Sequence, residues 1–236
     1  MTGSRANVFD PRFIRTAVHA LRTPLQTIHG FAHLLTQDMP RASFDQALGL
    51  IRDDSGRLMA MLDDLGWRGR LAGGDLALDL EPCDLGTLLS RLALNFEHEQ
   101  SRHFVDLRAM RLPAVQADAE RVNDILLALL RHAASVSPAG RLKVGARGGR
   151  RVVEVSVTDS GSRIPARLRA AVFQADQPVP RSWGWPEAGL GMNLYVAREL
   201  ALAMGGELKV EPAGAPRGRR GNVWALSLPR TEARDA

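Results

Sequence analysis

Phe13 to Leu35 reads FIRTAVHALRTPLQTIHGFAHLL. Its apolar residues Ile14, Val18, Leu21, Leu25, Ile28, Ala32 and Leu35 advance by alternating steps of four and three, the a/d seam of a helix supercoiled against partners. His19 falls one residue past Val18, on the flank of the stripe, where a side chain reaches water. Pro24 lacks an N–H and frees the carbonyl of Ala20, which predicts a kink about one turn from the histidine. A titratable imidazole, the basic Arg22, the Thr23 hydroxyl and a kink share one short segment.

This helix is predicted from about Pro11 to about Gln37, with Met39-Pro40 as its break. Ser43-x-x-Gln46 reads as a capping box opening a second helix, whose own heptads are Phe44, Leu48, Ile51, Ser55, Leu58, Leu62 and Leu65. Two heptad helices joined by a short turn make an antiparallel hairpin. A lone hairpin leaves a seam uncovered, so two of them pair into a four-helix bundle and a homodimer is expected. The competing arrangement packs the hairpin on its own second domain. His29 and His33, spaced i, i+4, have the spacing of a metal clamp, but no carboxylate or thiol on that face completes a site. They read as solvated surface, and no metal centre is assigned.

Hydrophobic content of 45% and charged content of 24% are those of an ordinary globular protein. No apolar run approaches the ~18 residues of a membrane-spanning helix, and MTGSRANVFD is not a signal peptide, so a cytoplasmic location is expected. The single Cys83 excludes internal disulfides and a thiolate-rich metal site; between Pro82 and Asp84 it reads as a small packing residue. The formal charge of +5 comes with arginine clusters at 141–151, 163–169 and 217–220. No aromatic platform or recognition motif accompanies them, so nucleic acid is not expected as a partner. An acidic protein or a nucleotide's phosphates suit such patches.

GWRGRLAGG, residues 66–74, reads as a linker. The boundary is accordingly placed at residue 70, with a helical hairpin over 1–70 and a second domain over 71–236. In the latter the pattern predicts a short strand, a helix from about Leu85 to Gln100 and a strand near Phe104 to Met110. A helix capped by Asp118 runs to about Val136, and strands follow at Leu142–Ala146 and Val152–Thr158. Beyond a loop-rich stretch to Ala188, Gly189 opens a helix ending at Gly205-Gly206. Strands near Glu207–Val210 and Val223–Leu228 close the chain. The expected fold is an α/β sandwich with a mixed sheet.

His19-Ala20-Leu21-Arg22-Thr23-Pro24-Leu25 resembles the H-box (H-E-L-R-T-P-L) of two-component sensor histidine kinases at six of seven residues. The resemblance implies that His19 carries a phosphoryl group and passes it to an aspartate on a response-regulator receiver domain, with Arg22 and Thr23 beside it. Thr23 resembles the residue that positions water in regulator dephosphorylation. Ala20 stands where the family has Glu, the residue that orients the histidine and takes up its proton.

The second domain resembles the GHKL ATP-binding domain. Asp159-Ser160-Gly161-Ser162-Arg163-Ile164-Pro165 is similar to the G1 box, D-x-G-x-G-I-P, in which the aspartate accepts a hydrogen bond from the adenine amino group. Arg163 replaces the second glycine, and its side chain is expected to fill or cover the pocket or to reach phosphate. Phe173 resembles the F-box phenylalanine, and Gly189-Leu190-Gly191-Met192 the G2 box, whose amides meet phosphate at a helix start. Asp118 to Gly140 keeps the register of the N-box. Ala128, His132 and Ser135 stand there for two asparagines and a lysine, of which the second asparagine gives Mg²⁺ an oxygen. Mg²⁺ prefers oxygen ligands, whereas His132 offers nitrogen. Trp183 and Trp185 fall in the lid that the resemblance implies, as base-stacking or core-covering residues.

The resemblance implies phosphotransfer through His19 by a histidine kinase with a degenerate ATP site. Weak ATP binding and a poorly held Mg²⁺ are expected. The alternative is a kinase-deficient dimer that acts as a phosphotransfer or regulatory binding protein. Input comes from a separate sensor or kinase chain, or from a region outside this sequence.

Overall fold

The computed structural model describes residues 11–35, 39–74, 76–99, 103–107, 111–174, 192–214 and 221–231. They form two compact units, the first holding the residues up to Leu76 together with Met192 and Asn193, the second the remainder.

The first unit is the helical hairpin, α1 (Pro11–Leu34) and α2 (Arg41–Gly73). α1 runs without a break through Pro24, which is buried. Ala17, Ala47 and Met61 are also buried, whereas the seam residues Ile14, Val18, Leu25 and Leu62 are exposed. The apolar stripe is therefore wider than the contact between the two helices, and part of it faces outward.

Two expectations for α2 are corrected. It begins at Arg41 behind Pro40, whose ψ of 135° sets the start, with no side-chain cap. Ser43 lies inside the first turn, so the Ser43–Gln46 capping box is not used. The stretch read as a linker is helix: α2 continues through Gly66 and Gly69 and ends only at Gly74, with φ at +76° and its N–H donated to the Arg70 carbonyl. Buried Met61, Asp64 and Arg68, and the Arg70 guanidinium 4.0 Å over the Trp67 ring, outweigh the roughly 1 kcal/mol cost of a helical glycine.

The second unit is an α/β sandwich. β1 (Glu81–Cys83) pairs antiparallel with β3 (Val115–Ala117), a strand the sequence pattern did not indicate. Cys83 is buried, and burial pushes its thiol pKa up, as suits a packing residue. The main sheet contains β2 (His103–Leu107), β4 (Gly140–Gly148), β5 (Val152–Thr158), β6 (Glu207–Pro212) and β7 (Asn222–Pro229) in the order β2-β4-β5-β7-β6. Only β2–β4 is parallel, so the sheet is mixed.

Along β5 and β7 every second side chain is buried, the period of a strand with one face on the core. That core is completed by α3 (Leu85–Glu99), α4 (Ala119–Val136) and α5 (Met192–Ala203). Their buried residues include Leu88, Leu92, Phe96, Ile125, Leu129, Ala197 and Leu200. Asp118 caps α4, its carboxylate accepting from the Glu120 and Arg121 amides at 3.0 and 3.1 Å. α5 closes through Gly205, at φ +70°, and Gly206, whose N–H reaches the Ala201 carbonyl. A Cβ on Gly206 would lie 2.3 Å from the Ser227 carbonyl oxygen, so helix and sheet meet there through bare backbone.

The helical reading of 66–74 is testable. Gly66 and Gly69 have room for a side chain, so Gly66→Ala and Gly69→Ala should each stabilise the helical unit by up to about 1 kcal/mol. Denaturant unfolding followed by circular dichroism measures this. A flexible linker would give no gain from either substitution.

Candidate functional site

Two groups of residues carry the chemistry, one in each unit.

On α1, His19, Arg22 and Thr23 are all exposed. The Thr23 hydroxyl donates to the His19 carbonyl at 3.4 Å, which keeps it on the same helical flank as the imidazole, one turn on. Arg22, three residues along, shares that flank. No acidic side chain occupies position 20. His29 and His33 stack edge to face at 4.5 Å between ring centroids. Among the described residues no group of three or more His, Cys, Asp or Glu side chains could hold a metal.

In the α/β unit the site is built at the end of β5. Asp159 follows that strand directly and is buried, 4% exposed. Its Oδ1 accepts from the Gly161 amide at 2.8 Å, the Asn222 amide at 3.1 Å and the Asn222 side-chain amide at 3.1 Å. Its Oδ2 accepts from the Trp224 indole N–H at 2.7 Å and from Asn222 Nδ2 at 3.3 Å. Burial raises the carboxyl pKa, and the donors of Trp224, Gly161 and Asn222 pull against that rise.

Asn222 ties the whole loop. Its backbone carbonyl accepts from the Asp159 amide, its Nδ2 also donates to the Ser162 carbonyl, and its Oδ1 accepts from the Ile164 amide at 3.0 Å. The loop needs two glycines for close approach. A Cβ on Gly161 would lie 2.9 Å from Val136 Cγ2, and one on Gly221, at φ +131°, would lie 2.4 Å from the Asp159 carbonyl oxygen.

Trp224, completely buried on β7, is met by two other rings. The His132 ring meets it edge on at 4.7 Å between centroids, and the Phe173 ring does so at 5.9 Å. The Arg198 guanidinium lies 5.4 Å from the Phe173 centroid. Burial alone pushes the His132 pKa down to about 4, which leaves the imidazole neutral at pH 7. Ser135, one turn on, turns its hydroxyl back to the His132 carbonyl at 2.7 Å. Ala128 has no polar atom to offer.

The structure thus brings together Asp159, Gly161, Ile164, Phe173 and His132. Arg163 is not in this cluster: its guanidinium is exposed and donates to the Ala213 carbonyl at 3.2 Å. The expectation that it fills the pocket or reaches phosphate is therefore corrected, because a nearby backbone acceptor holds it outward. Gly189, Leu190, Gly191, Trp183 and Trp185 lie outside the described residues. Sequence reasoning missed Asn222 and Trp224. The available signals were an asparagine in a strand position that disfavours it and a tryptophan in the buried half of an alternating strand, where its N–H requires an acceptor.

Buried neutral, His132 must take up a proton on unfolding below its ordinary pKa of 6.5. Its contribution to stability is full above pH 6.5 and is lost as pH falls towards 4. The loss should reach about 3 kcal/mol at about 1.4 kcal/mol per pKa unit. His132→Phe, which keeps a ring against Trp224, should flatten this part of the profile. Urea unfolding of both chains at stepped pH measures the difference, and parallel profiles would refute it.

Residues 12–68 match the His Kinase A (phospho-acceptor) domain, and residues 117–232 match the histidine kinase-, DNA gyrase B- and HSP90-like ATPase family. The sensor protein GacS of Pseudomonas syringae pv. syringae is 28% identical over 236 residues, which is 95% of this chain and 26% of that protein. The chain spans between about a quarter and a third of the length of the first curated relatives it matches. Among solved structures, full-length ShkA in complex with AMPPNP superposes with a TM-score of 0.63 at 23% identity, over 94% of this chain and 46% of that one. The histidine kinase ThkA in complex with the response regulator protein TrrA gives 0.63 at 19% identity, over 94% and 62%. No helix of the described residues is long and apolar enough to cross a membrane. The chain belongs to the two-component sensor histidine kinases, with a helical phosphoacceptor region followed by an ATPase-type α/β domain.

Proposed function

We propose that this chain carries a phosphoryl group on His19 and transfers it to the aspartate of a response-regulator receiver domain, acting as a homodimer in the cytoplasm. The observation that carries this reading is the presentation of His19. It stands exposed on the flank of α1, with Arg22 and Thr23 on the same flank. The neutral imidazole is the nucleophile, and the Arg22 guanidinium is placed to meet phosphoryl oxygens. Thr23 contributes a hydroxyl one turn away. With Ala20 in place of an acid, proton uptake falls to solvent or to the partner.

The homodimer is supported by the exposed apolar positions of the hairpin. Ile14, Val18, Leu25, Leu62 and Met59 are 43%, 48%, 54%, 52% and 66% exposed. Burial of such side chains is worth about 1.5–3 kcal/mol each. A second hairpin covers them with the same residues. The ThkA–TrrA complex is a relative in which a kinase of this fold meets a regulator. The site supports weak ATP binding at most and little use of Mg²⁺, because His132 presents a neutral nitrogen where a hard ion requires oxygen. The signal enters through a separate sensor or kinase chain, or through a region outside this sequence.

Two outcomes are expected. Label passed from a phosphorylated regulator should be alkali-stable and acid-labile, and His19→Gln should abolish it without changing the circular dichroism spectrum. Label surviving that substitution would move the acceptor to another histidine. Leu25→Glu combined with Leu62→Glu should halve the mass seen by light scattering. A wild-type chain that is already monomeric at micromolar concentration would sink the homodimer.

A further inference from the structure

We infer that Trp224 occupies the purine-recognition carboxylate of this chain, and that His19 therefore receives its phosphoryl group from an acyl phosphate, the aspartyl phosphate of a receiver domain, rather than from a nucleoside triphosphate. The inference rests on the phosphoacceptor reading of His19 and names the donor for it.

An ionised carboxylate offers about four lone-pair sites. Asp159 already receives Gly161, both the backbone and the side chain of Asn222, and Trp224, at 2.7–3.3 Å. Its shortest bond is to the indole N–H. A purine amino group that addresses this carboxylate meets no open lone pair. It has to displace an indole that is completely buried and flanked by the His132 and Phe173 rings. The strand carrying that indole is not free to retreat, because β7 is paired on both edges, Val157 opposite Trp224 on one side and Val210 on the other. Gly221 holds the strand's start against the Asp159 carbonyl with no room for a side chain.

The residues present do not fit the metal either. A magnesium ion requires oxygen ligands. Position 132 holds an imidazole turned onto Trp224, the Ser135 hydroxyl is engaged by the His132 carbonyl, and position 128 is alanine. Arg163, the nearest cation on the loop, is directed to the Ala213 carbonyl. Among the described residues, neither the purine amino group nor the metal meets an open partner group at these positions.

An imidazole is phosphorylated at a useful rate by donors with good leaving groups, among them phosphoanhydrides and acyl phosphates. Of these, an acyl phosphate arrives on its own receiver domain and needs neither Asp159 nor a metal site in this chain. The lone pair of one His19 nitrogen forms the new N–P bond, and the bond between phosphorus and the acyl oxygen breaks. The receiver carboxylate leaves with that electron pair. The other ring nitrogen keeps its proton and releases it to solvent when the product imidazolium deprotonates. The step needs no further reactant. It is reversible, so a second receiver aspartate accepts the group from His19. The preceding reaction in the sequence is phosphorylation of a receiver by another kinase.

The test uses the 236-residue chain. TNP-ATP is titrated with and without Mg²⁺ into the wild type, Trp224→Phe, and Trp224→Phe combined with Asp159→Asn. ³²P-labelled ATP and every receiver domain of the source genome, charged with ³²P-labelled acetyl phosphate, are then offered in turn. The wild type should bind TNP-ATP weakly, without response to Mg²⁺. Trp224→Phe, which frees an acceptor on Asp159, should tighten binding by about 10–100-fold, and Asp159→Asn should remove the gain. Label should reach wild-type His19 from a receiver and not from ATP. Mg²⁺-dependent binding by the wild type, or labelling of His19 from ATP, overturns the inference while leaving His19 as the acceptor; both need only the unmodified chain. A folded Trp224→Phe chain with no gain overturns the role given to the indole. Label from neither source, or label that persists in His19→Gln, overturns the acceptor reading itself.

Discussion

A carboxylate held away from water must be met by donors, and the α/β unit is arranged around that requirement at Asp159. An isolated buried charge costs several kcal/mol even after relaxation, and Asp159 is 4% exposed. The loop from 159 to 164 therefore folds back so that the Gly161 amide reaches the carboxylate, and this fold is possible only because no Cβ stands between Gly161 and Val136. Asn222 supplies two more donors and ties the far end of the loop through Ile164. Removing any one donor leaves its share of the buried charge uncompensated, which makes the cluster cooperative rather than additive.

The same cluster fixes the state of His132. Its ring lies edge on against the Trp224 indole, whose N–H already serves Asp159, and burial disfavours the charged imidazole. The position whose asparagine oxygen the resemblance gives to Mg²⁺ is filled by a half-buried, neutral imidazole. The hairpin follows a different rule. Its apolar surface is not consumed within the chain, and His19 lies at the margin of the part left open. One unit closes a polar site into its core, while the other keeps a core-like surface exposed.

The hairpin was legible from the sequence because heptad spacing is a local signal. Asp118, Asp159 and Phe173 were legible because motif spacing places them. The start of α2 was misplaced because Pro40 decides it before Ser43 can act as a cap. Its end was misplaced because Gly66 and Gly69 are weak breakers when the residues between and after them pack. Arg163 was misjudged because its direction depends on the Ala213 carbonyl, fifty residues away. Asn222 and Trp224 were missed for the same reason: their partner is separated from them by 63 and 65 positions. A strand pattern shows that Trp224 points inward and gives no sign of which acceptor waits there.

The size of Trp224 has a consequence for stability. A completely buried indole fills volume that a smaller side chain leaves as a cavity, and truncating a buried tryptophan to alanine costs about 3–5 kcal/mol. A domain's total margin is only about 5–15 kcal/mol. Loss of the ring alone would therefore consume a large share of the unit's stability. The indole is thus bound into the fold by its volume as well as by its hydrogen bond to Asp159.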